Sequence, residues 1–468
     1  MLFNSGLFVF CFLPIFFTIY FLLPERFKNA FALLASIAFY AWGAPRFVLV
    51  LSGAVLCDFV LAKVIAAQQG KARNYWLAFA IAVNLSVLLY FKYFNFFAFN
   101  FAQLFNTHSP TIQMLLPIGI SFFTFHEISY LTDVYRKTRQ PFTNLINYAL
   151  YIFLFPQLIA GPIIRFHQIS GQIENRRANH TAQNQLTGFF RFVAGLAKKV
   201  LIADVIGIEV DKIFAAAPET LGTGIAWLGA VLNIVRIYID FSGYSDMAIG
   251  LALAMGFKFP ENFNSPLIAQ SVTEFWQRWH ISLTNWFRDY VFIPLGGSKG
   301  TLLRTCLNIL LVFVLSGFWH GAQWKFVAWG LGFGLVVALE RYFSLTTLKI
   351  SAPLKVMLTF FICANLLVVF TSASISASIK YFGAMYSTAE GSLPLFLSLK
   401  TKLAIALALL ISFGSSNSRL NELAAKLFDP QKTETGYIAL AAATIGILVV
   451  CGSMLFVAGY HPFLYFKF

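Results

Sequence analysis

The sequence predicts an all-α polytopic membrane protein. Of its 468 residues, 59% are hydrophobic and only 11% are charged, whereas soluble globular domains carry about a quarter charged residues. The apolar residues form continuous runs near bilayer length instead of the short alternating segments of a membrane barrel. With 54 Phe residues, the chain has too much apolar surface to stay disordered. An ordinary soluble enzyme and a disordered protein are therefore excluded.

The charge distribution argues against nucleic-acid binding. The chain has 34 Lys and Arg against 19 Asp and Glu, a net charge of +15. These basic residues cluster in short connections between apolar runs, as cytoplasmic loops do, so membrane lipid is the expected surrounding. The five cysteines are scattered and form no C-x-x-C pair. We therefore expect no disulfide framework and no metal site.

Loop charges predict how the chain crosses the membrane. The first apolar run, residues 7–23, has no basic n-region and no cleavage site, so it predicts a retained helix. Arg26 and Lys28 follow it, which places that loop in the cytoplasm and the N-terminus outside. We expect about eleven spans in one membrane domain. That domain comprises N-terminal helices (1–140), a core with re-entrant and amphipathic segments (141–345) and C-terminal helices (346–468).

One apolar segment breaks the alternation of sides. Residues 144–164 are apolar, yet a strongly basic stretch that begins at Arg165 follows them. If this segment spanned the bilayer, the basic stretch would lie outside. A re-entrant segment that turns at Pro156 or at Gly161-Pro162 returns to the cytoplasmic side and keeps the basic stretch there. Such irregular backbone is tolerated at membrane depth only where it is buried in protein or lines a cavity.

Residues 271–290 predict an amphipathic helix. Ser271 and Glu274 have the spacing of a capping box. An aromatic and apolar stripe recurs at helical spacing, comprising Trp276, Trp279, Leu283, Trp286 and Tyr290. His280 falls on the border of that stripe. The helix is too polar to span, so it either lies at the interface with an incidental histidine or lines a water-filled funnel.

His320 is the stronger catalytic candidate. It lies between two apolar runs, surrounded by small residues and by three tryptophans. Arg304 and Arg341 mark two cytoplasmic ends, so the chain between them enters the membrane and returns. An ionisable group at that depth is a functional candidate, and histidine is the usual general base near neutral pH. The alternative is a structural histidine bonded to a carbonyl group.

Other motifs give weaker signals. Asp240 and Asp246 lie in an apolar stretch, and paired acids can form proton relays. The glycines and serines around them favour a structural role in a tightly packed segment. Neither a P-loop nor a G-x-S-x-G elbow is present, so nucleotide hydrolysis and a covalent serine mechanism are not expected.

Several stretches together carry a family resemblance. They are LLPIGISFFTFHEISYLTDVYR (115–136), FPQLIAGPIIRF (155–166), YIDFSGYSDMAIGLALAMGF (238–257), NFNSPLIAQSVTEFWQRWHISLTNWFRDYVFIPLGG (262–297), LSGFWHGAQW (315–324) and PFLYFKF (462–468). The chain resembles the membrane-bound O-acyltransferase (MBOAT) family. The similarity is to its bacterial branch, which O-acetylates exported or cell-wall polysaccharides such as alginate, peptidoglycan and cellulose. The resemblance implies a multi-helix fold with re-entrant segments around a central funnel or tunnel.

The resemblance also implies the site residues. His320 matches the catalytic histidine of the family and His280 a second required histidine. His320 would act as general base, while His280 or Asn285 would position the acetyl group or stabilise the oxyanion. Further substrate contacts are expected from Trp279, Arg288, Asp289 and Trp319.

The resemblance further implies an acetyltransferase of the bacterial inner membrane, with its N-terminus in the periplasm. The donor would be a cytoplasmic thioester, acetyl-CoA, as a co-substrate and not a bound cofactor. Its phosphates would be attracted by Arg165, Arg176 and Arg177. The acetyl group would reach the polysaccharide directly or through a separate periplasmic SGNH-type O-acetyltransferase.

Two alternatives stay open at this point. A transporter of polysaccharide or lipid, without covalent chemistry, also places ionisable residues inside the membrane. The second is another MBOAT chemistry, namely acylation of a lipid, of a protein, or of teichoic acid with D-alanine from a carrier protein. The teichoic-acid case would require a docking surface for the carrier.

Overall fold

A computed structural model describes residues 3–108, 112, 115–159, 161–388, 391–414, 434–458 and 463. Helices dominate these residues, and no strand occurs among them. The predicted all-α class is therefore confirmed. Most of the polar stretch 414–435 lies outside the described residues, as does most of the C-terminal segment 462–468.

The chain divides into two compact units. The first comprises Met1–Phe192 and Met247–Pro260, and the second comprises Val193–Asp246 and Glu261–Phe468. Both candidate histidines, His280 and His320, belong to the second unit. The single-domain interpretation of the whole chain stays a prediction.

Ten helices begin in the first unit. They are α1 (Leu13–Leu22), α2 (Glu25–Gly43), α3 (Val48–Ala67), α4 (Gly70–Leu88), α5 (Phe94–Leu104), α6 (Ile120–Tyr135), α7 (Leu145–Phe153), α8 (Phe155–Leu158), α9 (Phe166–Glu174) and α10 (Ala182–Ala197). π-Helical turns at Phe8–Phe12 and Leu89–Tyr93 extend α1 and join α4 to α5.

Ten further helices follow among the described residues. They are α11 (Asp204–Ala215), α12 (Thr223–Ala254), α13 (Val272–Arg278), α14 (Ile281–Phe287), α15 (Leu302–His320), α16 (Trp324–Tyr342), α17 (Ala352–Thr371), α18 (Ile375–Met385), α19 (Leu399–Phe413) and α20 (Glu434–Ala458). Two more π-helical turns lie at Lys198–Ala203 and Arg288–Phe292.

Six helices of the described residues are long and apolar enough to cross a membrane. They are Pro45–Ala67, Gly70–Leu104, Thr223–Ala254, Leu302–His320, Ala352–Thr371 and Glu434–Val457. The prediction of several membrane-spanning helices is thus confirmed, while the number of eleven stays a prediction.

The segment predicted to be re-entrant is too short to span as a helix. Helix α7 has nine residues, which rise about 14 Å, against a hydrocarbon core about 30 Å thick. The chain turns at Leu154, forms the single turn of α8 and has no further helix between it and Arg165 among residues 159 and 161–165. A Cβ at Gly161 would clash with the carbonyl oxygen of Pro156, so the two predicted turn positions pack against each other. This geometry agrees with a re-entrant segment.

Ion pairs anchor the acids of α12 within the second unit. Lys199 Nζ lies 2.6 Å from Asp240 Oδ1 and 2.7 Å from Asp204 Oδ1, and its side chain is almost fully buried. Lys198 Nζ lies 2.6 Å from Asp246 Oδ2. Buried charges are tolerated when each is paired in this way. The pairs support the structural interpretation of the two α12 acids over a proton relay.

Helices α15 and α16 form a close antiparallel hairpin. A Cβ at Gly317 would clash with the carbonyl oxygen of Phe326, and one at Gly330 would clash with that of Phe313. Farther along the hairpin, Cys306 Sγ lies 3.6 Å from the carbonyl oxygen of Ala338. Small residues thus let the two backbones approach closely, as is typical of membrane helices. The predicted return of the chain between Arg304 and Arg341 is thus observed as a helical hairpin, while the cytoplasmic location of its ends stays a prediction.

This packing predicts that Gly317→Ala destabilises the protein. The added methyl group would push α15 away from α16, and overpacking of this kind costs about 1–3 kcal/mol. Gly383→Ala is the matched control, because a Cβ at Gly383 meets no atom within 4 Å and Ala is the better helix former by about 0.5–1 kcal/mol. Thermal unfolding of the detergent-purified variants measures both effects. Equal melting temperatures for the two variants would contradict the packing argument.

Candidate active site

The N-terminus of α13 is held by two acceptors. Ser271 Oγ accepts the backbone N–H of Glu274 at 3.0 Å, which is one half of the predicted capping box. The other half is absent, since the Glu274 carboxylate accepts the N–H of Gln270 instead. The buried carboxylate of Glu340, from α16, accepts the N–H groups of Val272 and Thr273 at 2.7 and 2.8 Å. Glu340 therefore ties α13 to α16.

The prediction of one continuous helix over 271–290 is wrong. Helix α13 ends at Arg278, and α14 begins only at Ile281. Between them, His280 adopts a left-handed backbone conformation, with φ 44° and ψ 51°. That conformation costs a non-glycine residue roughly 1–3 kcal/mol and persists only where the surroundings impose it. Of the residues interpreted as one amphipathic stripe, Trp276 lies on the first helix, and Leu283 and Trp286 lie on the second. The two short helices meet at a kink that contains Trp279.

A neighbouring loop holds this kink. The N–H of Asn264 donates to the carbonyl oxygen of Arg278, and the N–H of Ile281 donates to that of Asn262, both at 2.9 Å. These bonds bracket His280 on either side and impose its backbone conformation.

His280 is buried and does not lie on a surface helix. Its side chain is 1% exposed. The ring meets that of Phe241 edge-on at 4.7 Å between centroids, and Nδ1 lies 3.1 Å from Oδ1 of Asn262. Burial lowers the pKa of His280 to about 3, so the imidazole is neutral at physiological pH. Its Nε2 has no hydrogen-bond partner among the described residues.

His320 ends α15 and is half-buried. Its ring is enclosed by three aromatic rings, with centroid distances of 4.9 Å to Trp319, 5.1 Å to Trp329 and 5.4 Å to Phe370. Helices α15, α16 and α17 each supply one of them. The imidazole therefore lies in a rigid aromatic enclosure that stays partly accessible.

Trp319 links the two histidines. Its centroid is 6.4 Å from that of His280 as well as 4.9 Å from that of His320. The structure thus brings together three predicted site residues that the sequence separates into two motifs.

The other predicted residues of the second unit lie in different surroundings. Trp279 is buried among aromatic rings, stacked on Phe275 at 5.2 Å. Asn285 is half-buried on α14. Arg288 is exposed and pairs with its neighbour, with Nε 2.8 Å from Asp289 Oδ1. Trp279 thus has a packing role, and Arg288 and Asp289 bind each other.

Among the arginines expected to attract phosphates, Arg176 is not available. Its guanidinium is buried in the first unit and donates to Tyr20, to Asn29 and to the carbonyl oxygen of Met255. Arg165 is half-buried at the start of α9, and Arg177 is exposed. Arg176 therefore stabilises the fold, and phosphate attraction stays a prediction for the other two.

Two further indole groups, one of them beside His320, were not predicted as site residues. The rings of Trp276 and Trp329 are 5.8 Å apart, and each buried Nε1 has no partner among the described residues. Buried donors are rarely left unsatisfied in proteins, so such groups are available to a ligand. In the sequence these residues look like ordinary members of an apolar face, and the only signal was the density of tryptophan around the histidine motifs.

Comparison with known proteins decides the family. The model of MBOAT, the membrane-bound O-acyltransferase family, matches residues 34–380, which is more than half of the chain. The chain belongs to the MBOAT family. It is therefore an acyltransferase and a multi-pass membrane protein, and the transporter interpretation has no support from these matches.

Relatives of known name extend over most of the chain. The probable alginate O-acetylase of Pseudomonas putida is 39% identical over 100% of both chains. The peptidoglycan O-acetyltransferase of Helicobacter pylori is 35% identical over 82% of this chain and 80% of its own length. A more distant match, the teichoic acid D-alanyltransferase of Bacillus subtilis, is 28% identical over 50% of this chain and 62% of its own.

The capping of α13 predicts that Glu340→Ala destabilises the second unit. It removes the acceptor of two backbone N–H groups and of the Thr273 hydroxyl, and leaving buried donors unpaired costs about 1–3 kcal/mol. Glu274→Ala is the matched control on the same helix. Its partly exposed carboxylate pairs with Arg278, and such pairs contribute about 0–1 kcal/mol. It also accepts the N–H of Gln270, but that residue is exposed, so water can replace the carboxylate there. Thermal unfolding compares the two variants, and an equal loss of stability would argue against the capping role.

Proposed function

We propose that this enzyme moves an acetyl group from cytoplasmic acetyl-CoA across the bacterial inner membrane for the O-acetylation of an exported or cell-wall polysaccharide. The observation that carries the proposal is the pair of histidines around Trp319, in a chain similar over most of its length to two polysaccharide O-acetylating enzymes. The acceptor is alginate-like, peptidoglycan or cellulose.

His320 is the general base of the proposed reaction. A neutral imidazole nitrogen takes the proton of the acceptor hydroxyl as the hydroxyl oxygen attacks the thioester carbonyl carbon. The new C–O bond forms, the C–S bond breaks, and the imidazolium returns the proton to the departing thiolate. The enclosing rings support this role, because they fix the imidazole and limit water around it.

The carbonyl oxygen needs a donor as negative charge develops on it. The buried Nε1–H of Trp329 is suited to this, since its ring lies 5.1 Å from that of His320 and the donor has no partner among the described residues. A preorganised donor in a dry site stabilises an oxyanion more than water does.

The donor and the acceptor reach the site from opposite sides. Arg165 and Arg177 lie in the basic stretch interpreted as cytoplasmic, where they attract the phosphates of acetyl-CoA. The N-terminus lies in the periplasm. There the acetyl group passes to the polysaccharide directly or through an SGNH-type O-acetyltransferase partner.

A second candidate function is D-alanyl transfer. The match to the Bacillus subtilis teichoic acid D-alanyltransferase supports it, although that match covers half of this chain. The two functions differ in the acyl donor.

The first test of the proposed function is His320→Ala. In a deletion strain that expresses this variant, the O-acetyl content of the surface glycan is expected to fall to about 1% of wild type or less, since loss of a general base costs roughly 100-fold or more. Glycan export and membrane insertion should continue. His108→Ala is the matched control, because His108 is exposed. Unchanged acetylation with His320→Ala would overturn the assignment of the base.

The second test concerns the donor and its side. Inverted and right-side-out vesicles from the same cells receive radiolabelled acetyl-CoA, and label recovered as alkali-labile ester is counted. We expect labelling only in inverted vesicles, because acetyl-CoA does not cross the membrane and only these expose the cytoplasmic face. Inverted vesicles with His320→Ala serve as the blank. Label from a D-alanyl carrier thioester but none from acetyl-CoA would favour the second candidate function.

A further inference from the structure

We infer that Asn262 is a positioning residue that fixes His280 as the tautomer protonated at Nδ1, so that Nε2 presents a lone pair to a hydroxyl of the acetyl acceptor. This inference rests on the proposed function in assigning the hydroxyl, but the tautomer follows from the hydrogen bonds around Asn262.

The orientation of the Asn262 amide is set by a group that can only donate. The backbone N–H of Ser282 lies 3.3 Å from Oδ1 of Asn262, and the Ser282 hydroxyl lies 2.9 Å from the same atom. A flipped amide would turn its NH₂ group toward that backbone N–H, with two donors facing each other. The observed orientation also lets Nδ2 donate to Ser245 Oγ at 3.0 Å. Oδ1 is therefore the atom that faces His280.

Only one ring nitrogen of His280 can then carry the imidazole proton. Nδ1 lies 3.1 Å from Oδ1 of Asn262, which is an acceptor. A neutral imidazole carries a single N–H, and two acceptors cannot share a hydrogen bond without a proton. Nδ1 must hold that proton, which leaves Nε2 unprotonated.

The backbone fixes the direction of Nε2 of His280. The loop that supplies Asn262 also holds the left-handed conformation of His280, through the backbone hydrogen bonds Asn262–Ile281 and Asn264–Arg278. The ring is packed edge-on against Phe241. One loop thus fixes the conformation, the orientation and the tautomer of His280.

A lone pair at Nε2 limits what His280 can do. In this state it accepts a hydrogen bond and cannot donate one, so it does not stabilise the carbonyl oxyanion, which was one of the roles expected of it. A group with a proton to offer is the complementary ligand. In the proposed reaction that group is a second hydroxyl of the acceptor, beside the one that attacks. His280 accepts its hydrogen bond and so orients the acceptor, while His320 takes the proton of the attacking hydroxyl.

The test reads the tautomer directly. Histidine labelled with the heavy nitrogen isotope is incorporated, and nitrogen NMR distinguishes a protonated from an unprotonated ring nitrogen. Subtracting the spectrum of His280→Ala from that of wild type identifies the His280 signals among the seven histidines. We expect a protonated Nδ1 and an unprotonated Nε2. A protonated Nε2 in the wild-type protein would overturn the inference.

Variants at Asn262 connect the tautomer to activity. Asn262→Leu removes the acceptor, so the His280 signals are expected to change, and O-acetylation should fall by at least about tenfold. Asn262→Asp keeps an acceptor for Nδ1, so this variant should keep the tautomer and most of the activity of the wild type. It keeps the test decisive if the leucine variant does not fold. Asn264→Leu is the matched control, since the exposed Asn264 contributes its backbone only. Unchanged His280 signals in a folded Asn262→Leu protein, or loss of the tautomer in Asn262→Asp, would refute the positioning role.

The outcomes separate this inference from the proposed function. If NMR shows the expected tautomer but His280→Ala acetylates normally, Asn262 still positions His280, and the catalytic assignment of His280 fails instead.

Discussion

A polar group buried in a membrane protein must find its partner inside the protein, because lipid offers none. This constraint organises the second unit. Glu340 accepts three hydrogen bonds at the start of α13, and Lys199 lies between two aspartates. The side chain of Asn262 joins Ser245 on α12 to the residues that follow the kink. Most of these bonds tie together segments that are distant in sequence, and those of Glu340 and Asn262 hold the segments on either side of His280.

The same constraint operates in the first unit. Asn84 on α4 donates to both carboxylate oxygens of Asp58 on α3, at 2.9 and 3.1 Å. The guanidinium of Arg176 is bound by Tyr20, Asn29 and a carbonyl group. Arg176 therefore stabilises the fold, although it lies in a basic stretch of the sequence. Charge along the sequence indicates on which side a segment lies, but it does not show whether a side chain is free to bind a ligand.

Among the buried polar atoms of the described residues that lack a partner, three belong to the candidate site. Nε2 of His280 and the indole nitrogens of Trp276 and Trp329 are buried and lack a partner among the described residues. One is an acceptor and two are donors. The acceptor suits a hydroxyl of the polysaccharide, and the donors suit the thioester carbonyl. The two histidines are also held differently. His280 is buried and is fixed by hydrogen bonds to the loop of residues 262–264, whereas His320 is enclosed by aromatic rings and stays partly accessible.

Local pattern was enough to predict several features. The length of the apolar runs indicated the all-α membrane class, and the basic residues at both ends of 302–342 indicated the hairpin that carries His320. The histidine motifs indicated the family. The stripe of residues 271–290 indicated helix correctly but could not show the break at His280, because the bonds that impose it come from residues 262 and 264.

The sequence by itself therefore determined the fold class, the family and the two candidate histidines, since hydrophobicity and motif are properties of contiguous residues. Only the tertiary structure decided that Asn262 faces His280 across eighteen residues. It alone also decided that Glu340 caps a helix 68 residues earlier in the chain and that Arg176 is buried. The physical reason is that a hydrogen bond depends on distance and direction in space, and neither is encoded in the spacing of residues along the chain.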